Sequence, residues 1–164
     1  MITKETQYTK DSTKNKLRVV REFDAPIATV WKAWTDPKIM DQWWAPKPWK
    51  ANTRSMDFRE GGMWLYTMDG PDGERHWCRV DFKTIKPLTS YSGDDYFCDE
   101  SGKRNEELPV MHWTNTFYSR GESTQVEVEI DFDSEGDMNK IVEMGFKEGF
   151  AMAHGNLDEL LPTL

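Results

Sequence analysis

At 164 residues the chain has room for one domain, burying roughly 70% of its unfolded surface without help from disulfides. A formal charge of -8 argues against nucleic acid or an anionic membrane as the main partner, since both demand a basic footprint. Two cysteines make no disulfide framework. Neither a secretory-type apolar start nor a run of about 18 apolar residues is present, so a soluble, cytoplasmic protein is expected.

Residues 1–16 are polar, rich in threonine and lysine, and aperiodic, which predicts a flexible arm ahead of one domain spanning residues 17–164. Leu17 to Phe23 alternates and predicts a strand offering Leu17, Val19 and Phe23 to one side. Pro26 marks the first turn of a helix whose buried stripe is Ile27, Val30, Trp31 and Trp34. Asp36-Pro37 opens a second, short helix, with an acceptor ahead of a residue that needs none. From Ala51 the period becomes two. Strands are predicted over 63–68, 76–85, 90–98, 110–118 and 124–132, punctuated by turns such as Asp69-Gly70-Pro71-Asp72-Gly73 and by a charged loop over 99–107. In the last strand Val126, Val128, Ile130 and Phe132 face one way while Gln125, Glu127, Glu129 and Asp131 face the other. One wet face means an antiparallel sheet covered on one side only.

The cover is the C-terminal run. On a helical wheel Val142, Phe146, Phe150, Ala153, Leu157, Leu160, Leu161 and Leu164 fall within an arc of about 100°. That predicts one helix over about 139–161, roughly 35 Å long. Gly145, Gly149, Met152 and Asn156 make a second row beside the arc, and His154 is placed away from it. Two glycines inside a helix cost roughly 1 kcal/mol each against alanine, so a sheet or a ligand is expected close to the backbone there. The predicted class is α+β: a curved antiparallel sheet wrapped round a long C-terminal helix, with two short helices between the first two strands.

Several stretches, in this order, resemble a known family. They include Arg21-Glu22-Phe23-Asp24-Ala25-Pro26, Ala33-Trp34-Thr35-Asp36-Pro37, Trp43-Trp44, Met56 to Trp64, the 69–73 turn, and Glu143 to Phe150. Together they are similar to single-domain relatives of the C-terminal domain of the activator of the ninety-kilodalton heat-shock chaperone ATPase. That family belongs to the START-related (SRPBCC) helix-grip superfamily. The resemblance spans about 17–161 and implies the helix-grip fold with a hydrophobic pocket. The co-chaperone members carry a separate chaperone-binding domain that sixteen polar residues cannot supply, so chaperone activation is not implied.

With the register that the resemblance sets, the inward faces carry Trp64, Tyr66 and Met68, then His76, Cys78, Val80 and Phe82. Tyr91, Asp95 and Phe97 follow, then Met111, Trp113, Asn115 and Phe117. Aromatics make up 13% of the chain, eight of them tryptophan, enough for either a bulky filled core or an aromatic-lined cavity. The candidate cavity residues are Trp64, Tyr66, Met68, His76, Cys78, Val80, Tyr91, Asp95, Trp113, Asn115, Gly145, Gly149 and Met152. Trp43-Trp44 and Trp49 are expected to be buried and to close one end. His76 and Cys78 share a face at i, i+2, yet His112 has the opposite parity, so no metal site is expected. Without a nucleophile motif or a phosphate-cradling loop, no cofactor is expected either.

These readings favour a non-enzymatic module, monomer or dimer, that binds a small hydrophobic or amphipathic ligand. The alternatives are a stress-linked regulator of a chaperone and a cyclase-like or hydrolytic enzyme using His76 with Asp95 or Tyr66.

Overall fold

Alternation from Thr124 onward in Ser123–Asp131 decides the layout: Val126, Val128 and Ile130 are fully buried on one side, and Gln125, Glu127, Glu129 and Asp131 line the other. A computed structural model, which describes residues 5–164, sets this strand (β8) near the middle of an eight-stranded antiparallel sheet. The others are β1 (Gln7–Asp11), β2 (Lys16–Phe23), β3 (Lys50–Met56), β4 (Met63–Asp69), β5 (Arg75–Lys86), β6 (Ser90–Cys98) and β7 (Met111–Arg120). Their order across the sheet is β1-β2-β8-β7-β6-β5-β4-β3. Register shifts between Thr53 and Ser55 and between Phe82 and Ile85 add residues on single strands. Such bulges bend a strand and deepen its twist, which suits a sheet with a hollow side. The fold is α+β and of helix-grip type.

Two short helices follow β2: α1 (Ile27–Thr35) and α2 (Pro37–Met40). Asp36 caps the second by accepting from the Lys38 amide at 2.9 Å. Trp34 on α1 is almost wholly buried against Trp43, whose Nε1 donates to the Ala33 carbonyl at 3.0 Å.

The predicted arm is corrected in part. Residues 7–11 form β1, paired to β2 from Gln7↔Val20 to Asp11↔Lys16. The connection turns because Asp11 Oδ1 accepts from the Thr13 amide and hydroxyl and from the Lys14 amide, while Asn15 takes a left-handed φ of 51°. Composition hides such a strand, since an edge strand needs only its backbone to pair and is commonly polar. Residues 1–4 of the predicted arm lie outside the described residues.

The predicted single C-terminal helix is two helices, α3 (Glu135–Glu143) and α4 (Phe146–Leu160). Gly145 separates them at φ 90°, a left-handed conformation that side chains resist. Its place in the sequence therefore reflects a chain break, not a close neighbour. Nothing lies within 4 Å of where its Cβ would be, whereas at Gly149 the Pro46 ring stands 3.7 Å away.

After the break α4 sets its own phase. Phe150, Ala153, His154, Leu157 and, beyond the helix, Leu161 are buried at helical spacing. Met152, two positions and so about 200° from Phe150, is 48% exposed; Leu164 is exposed at the chain's end. His154 lies about 40° from Phe150 and is buried between Phe23, Trp34 and Phe150, contrary to its expected outward position. Its Nδ1 is 3.1 Å from the Thr6 hydroxyl. Two polar ties hold α4 in place. Asn156 donates to the carbonyls of Trp43 and Ala45, and buried Arg21 on β2 grips Asp158 with two N–H groups.

Two outcomes are expected in urea unfolding. Gly145→Ala lowers stability by about 1 kcal/mol through its φ alone, while Gly149→Ala, in ordinary contact with Pro46, raises it by up to about 1 kcal/mol. Burial, and secondarily Arg21, pushes the His154 pKa down to about 3 from an ordinary 6.5. The folded state keeps it neutral while the unfolded chain takes up a proton, so stability is lost as pH falls below 6.5, at about 1 kcal/mol per pH unit. His154→Gln should flatten that acid slope between pH 6.5 and 5.

Candidate functional site

The hollow of the sheet is not completely filled. A cavity of about 210 Å³ lies between β4–β7, the segment after α2, and the α3–α4 break. Strand pairing assembles its floor: Tyr66 on β4 faces Cys78 on β5, which faces Phe97 on β6, and Asp95 on β6 faces Met111 on β7. Trp44 and Pro46 close one wall, and Ile141, Met144, Phe146 and Phe150 form the roof. Met144 is 53% exposed and sits beside half-buried Gly145 and Phe146, which puts the mouth at the helix break.

Rings make most of the surface. Trp44, Trp113 and Phe150 meet in pairs with centroids 5.5 to 5.9 Å apart. Tyr66 stacks on Trp64 at 3.9 Å, and its hydroxyl accepts from Trp44 Nε1 at 3.0 Å. A smaller chamber of about 30 Å³ adjoins it and shares Trp44, Asp95 and Trp113 as a common wall. Trp64, Val80, Tyr91 and Asn115 line it. Three polar atoms on its walls, Trp34 Nε1, Trp113 Nε1 and Asn115 Oδ1, are buried without a partner among the described residues.

The ionisable groups of the cavity are unusual. Its lining contains no lysine, arginine or histidine. Burial drives the Cys78 thiol and the Tyr66 phenol well above their ordinary ranges, so both stay protonated at neutral pH. Asp95 is 7% exposed, and among the described residues its carboxyl makes no hydrogen bond. Burial pushes its pKa up to about 7.

Most of the residues expected at a cavity line one or other chamber. Tyr66, Met68, Cys78, Asp95, Trp113, Gly145 and Gly149 line the larger, and Trp64, Val80, Tyr91 and Asn115 the smaller. His76 and Met152 line neither. His76 has the inward parity but stands at the exposed end of β5, opposite Met68, where its ring stacks on Trp49 at 5.5 Å. Asp95 faces Val80, four residues further along β5 and so roughly 13 Å from His76 along the strand. Tyr66 faces Cys78 and its hydroxyl is bonded to Trp44, while the His76 ring lies on Trp49, so the acid–base pairing of His76 with either Asp95 or Tyr66 is not formed. Trp43 is buried as expected, while Trp44 and Trp49 are half-buried. Ile141 and Met144 carried no sequence signal as lining, because they reach the cavity only through the break after Met144, and Pro46 carried none because it lies in the aperiodic connection between α2 and β3. The charged loop after β6 docks by Lys140 Nζ on α3 donating to the Glu107 carbonyl at 3.1 Å.

A family model described as "Activator of Hsp90 ATPase homolog 1-like protein" matches residues 24–162. The chain belongs to this family. Among solved structures, a protein of Arthrobacter aurescens is 34% identical with a TM-score of 0.90, the match covering 96% of this chain and 92% of that one. A protein of Mycobacterium smegmatis, Ms6760, is 29% identical with a TM-score of 0.88, covering 96% of both chains. A protein of Nitrosomonas europaea, 24% identical, shares the fold with a TM-score of 0.79, covering 93% of this chain and 97% of that one. No curated protein matches the chain. In this family member, no described helix is long and apolar enough to cross a membrane.

Asp95 should be visible in stability. Its folded pKa is raised from 3.8 to about 7, so the folded state holds a proton that the unfolded chain releases, and stability is lost as pH rises through that window. Asp95→Asn is expected to stabilise the protein on the order of 3 kcal/mol at pH 7 and by almost nothing near pH 4. Chemical unfolding of both proteins at the two pH values measures this.

Proposed function

We propose that the protein binds a small apolar or amphipathic molecule in the cavity beneath the α3–α4 break and carries out no chemistry on it. The observation that carries this reading is the open volume of about 210 Å³ amid six aromatic side chains. It is somewhat larger than the ~150 Å³ apolar cavity known to take up benzene, so it suits one ring with a short chain. Membership of a superfamily whose members typically bind hydrophobic ligands supports the same reading. So does the absence of an activated nucleophile in the cavity: Cys78 stays a neutral thiol, and His76 stands elsewhere. A cytoplasmic location fits this proposal, and a chaperone partner is not needed for it.

Titration with N-phenyl-1-naphthylamine, an uncharged fluorescent probe, should show saturable uptake of one probe per chain with a Kd on the order of micromolar. Gly149→Phe, which sends a ring into the cavity, should abolish uptake while leaving the near-ultraviolet circular dichroism of a folded protein. Non-saturable uptake by the unaltered protein, or full uptake by the variant, would remove the cavity as the binding site.

A further inference from the structure

We propose that the cavity's natural ligand is an organic amine, its ammonium seated on the Asp95 carboxylate between the faces of Trp44, Tyr66 and Trp113. The proposal rests on the ligand-binding reading above and specifies the ligand's chemistry.

The first argument concerns pairing. Asp95 is the one acidic residue in the buried class among the described residues. A buried carboxylate is stable when it is paired or hydrogen-bonded. The protein offers Asp95 neither. The Tyr66 hydroxyl accepts from Trp44 and directs its own proton to the Cys78 sulfur instead of to Asp95, and the cavity lining supplies no basic side chain. A partner for this group has to come from outside the chain.

The second argument concerns the walls. Trp44, Tyr66 and Trp113 line the cavity that Asp95 faces, and Trp44 and Trp113 lie with centroids 5.8 Å apart. Aromatic faces carry partial negative charge and attract cations, tryptophan most strongly. Asn115 Oδ1, an acceptor without a partner, lines the smaller chamber that Asp95 also borders. The unpartnered indole N–H groups of Trp34 and Trp113 would suit an acceptor, but a carboxylate head placed on them would lie beside Asp95. The chain's net charge of -8 favours approach of a cation rather than an anion.

The third argument concerns protonation. With its pKa near 7, Asp95 shifts from mostly neutral at pH 6 to mostly ionised at pH 8. The titratable groups around it are Tyr66 on β4, Cys78 on β5, and Tyr91 and Cys98 on β6, all with raised pKa values and so uncharged in this range. The segment after α2 and the helices α3 and α4 add no charged side chain to the lining. Ammonium binding should follow the ionisation of Asp95 alone.

Calorimetric titration of the full chain with three probes of one shape tests this: 2-phenylethylamine, 2-phenylethanol and 3-phenylpropanoate. The amine, protonated at both pH values, is expected to bind at least tenfold more tightly than the alcohol at pH 8, and the carboxylate most weakly. Amine affinity should rise about tenfold from pH 6 to pH 8, following the ionised fraction of Asp95, while alcohol affinity stays level. Asp95→Asn should erase the preference for amine over alcohol. Equal or tighter binding of the alcohol or the carboxylate, or a pH-independent amine, would overturn the proposal while leaving the cavity reading intact. If none of the three binds and N-phenyl-1-naphthylamine is also refused, both readings fall together.

Discussion

The hollow side of a bent antiparallel sheet has to be covered, and the way the C-terminal chain covers it sets the remaining geometry. A straight helix from Glu135 to Leu160 would run on the order of 39 Å in one direction. The left-handed turn at Gly145 divides it, and α4 then lays Phe150, Ala153, His154 and Leu157 into the hollow with its own phase. Ile141 from α3 and Phe150 from α4 both reach the same cavity. The space lies where neither helix alone covers the sheet.

The rings explain why that space does not collapse. Phe58, Trp31, Phe117, Trp34 and Phe150 form a continuous chain of edge-to-face contacts with centroids 5.0 to 6.3 Å apart. Planar side chains locked in such a network have few alternative rotamers with which to fill a neighbouring gap. An empty cavity of this volume forfeits up to about 5 kcal/mol at ~24 cal/mol per Å³, less to the extent that solvent enters through the mouth. A chain that tolerates that loss beside an unpaired carboxyl departs from good packing twice at one place. Such local departures are expected where a protein binds something.

Much of this was legible in the sequence because it rests on period. The two faces of β8, the Asp36 cap and the turn at 69–73 are local patterns, and the structure realises each of them. Most of what escaped was not periodic. β1 is polar except for Tyr8, which packs against the edge of the core, and it is defined mainly by its backbone pairing to β2. The break at Gly145 looks on a wheel like a small residue inside a helix, since the wheel assumes an unbroken axis. His154 stands only about 40° from Phe150, at the edge of the buried arc, and Met152 about 200° from it, so the places of both follow from the wheel of α4 itself and not from the break. His76 has the parity of an inward residue, but parity does not tell how far along a strand the hollow extends. Asp95 is the opposite case: its inward place could be read, while its isolation emerged only from the contacts around it.

That isolation stands out against the other carboxylates of the same chain. Asp94, one residue earlier on β6, faces the opposite side, where His112 Nδ1 lies 2.7 Å away and Lys83 Nζ 3.0 Å. Asp81 accepts from Arg79 and from the Tyr96 hydroxyl, and Asp41 accepts from the backbone and hydroxyl of Thr53. Asp158, on the helix that fills the hollow, is gripped by Arg21. Each acid with a structural task has donors within reach, as the cost of desolvating a charge demands. Asp95 is more deeply buried than any of these, and among the described residues no side chain donates to it or pairs with it. Replacing it with an apolar residue would fill the same face of β6 at lower energy. The chain's own treatment of its other acids therefore assigns this one to a task outside the fold.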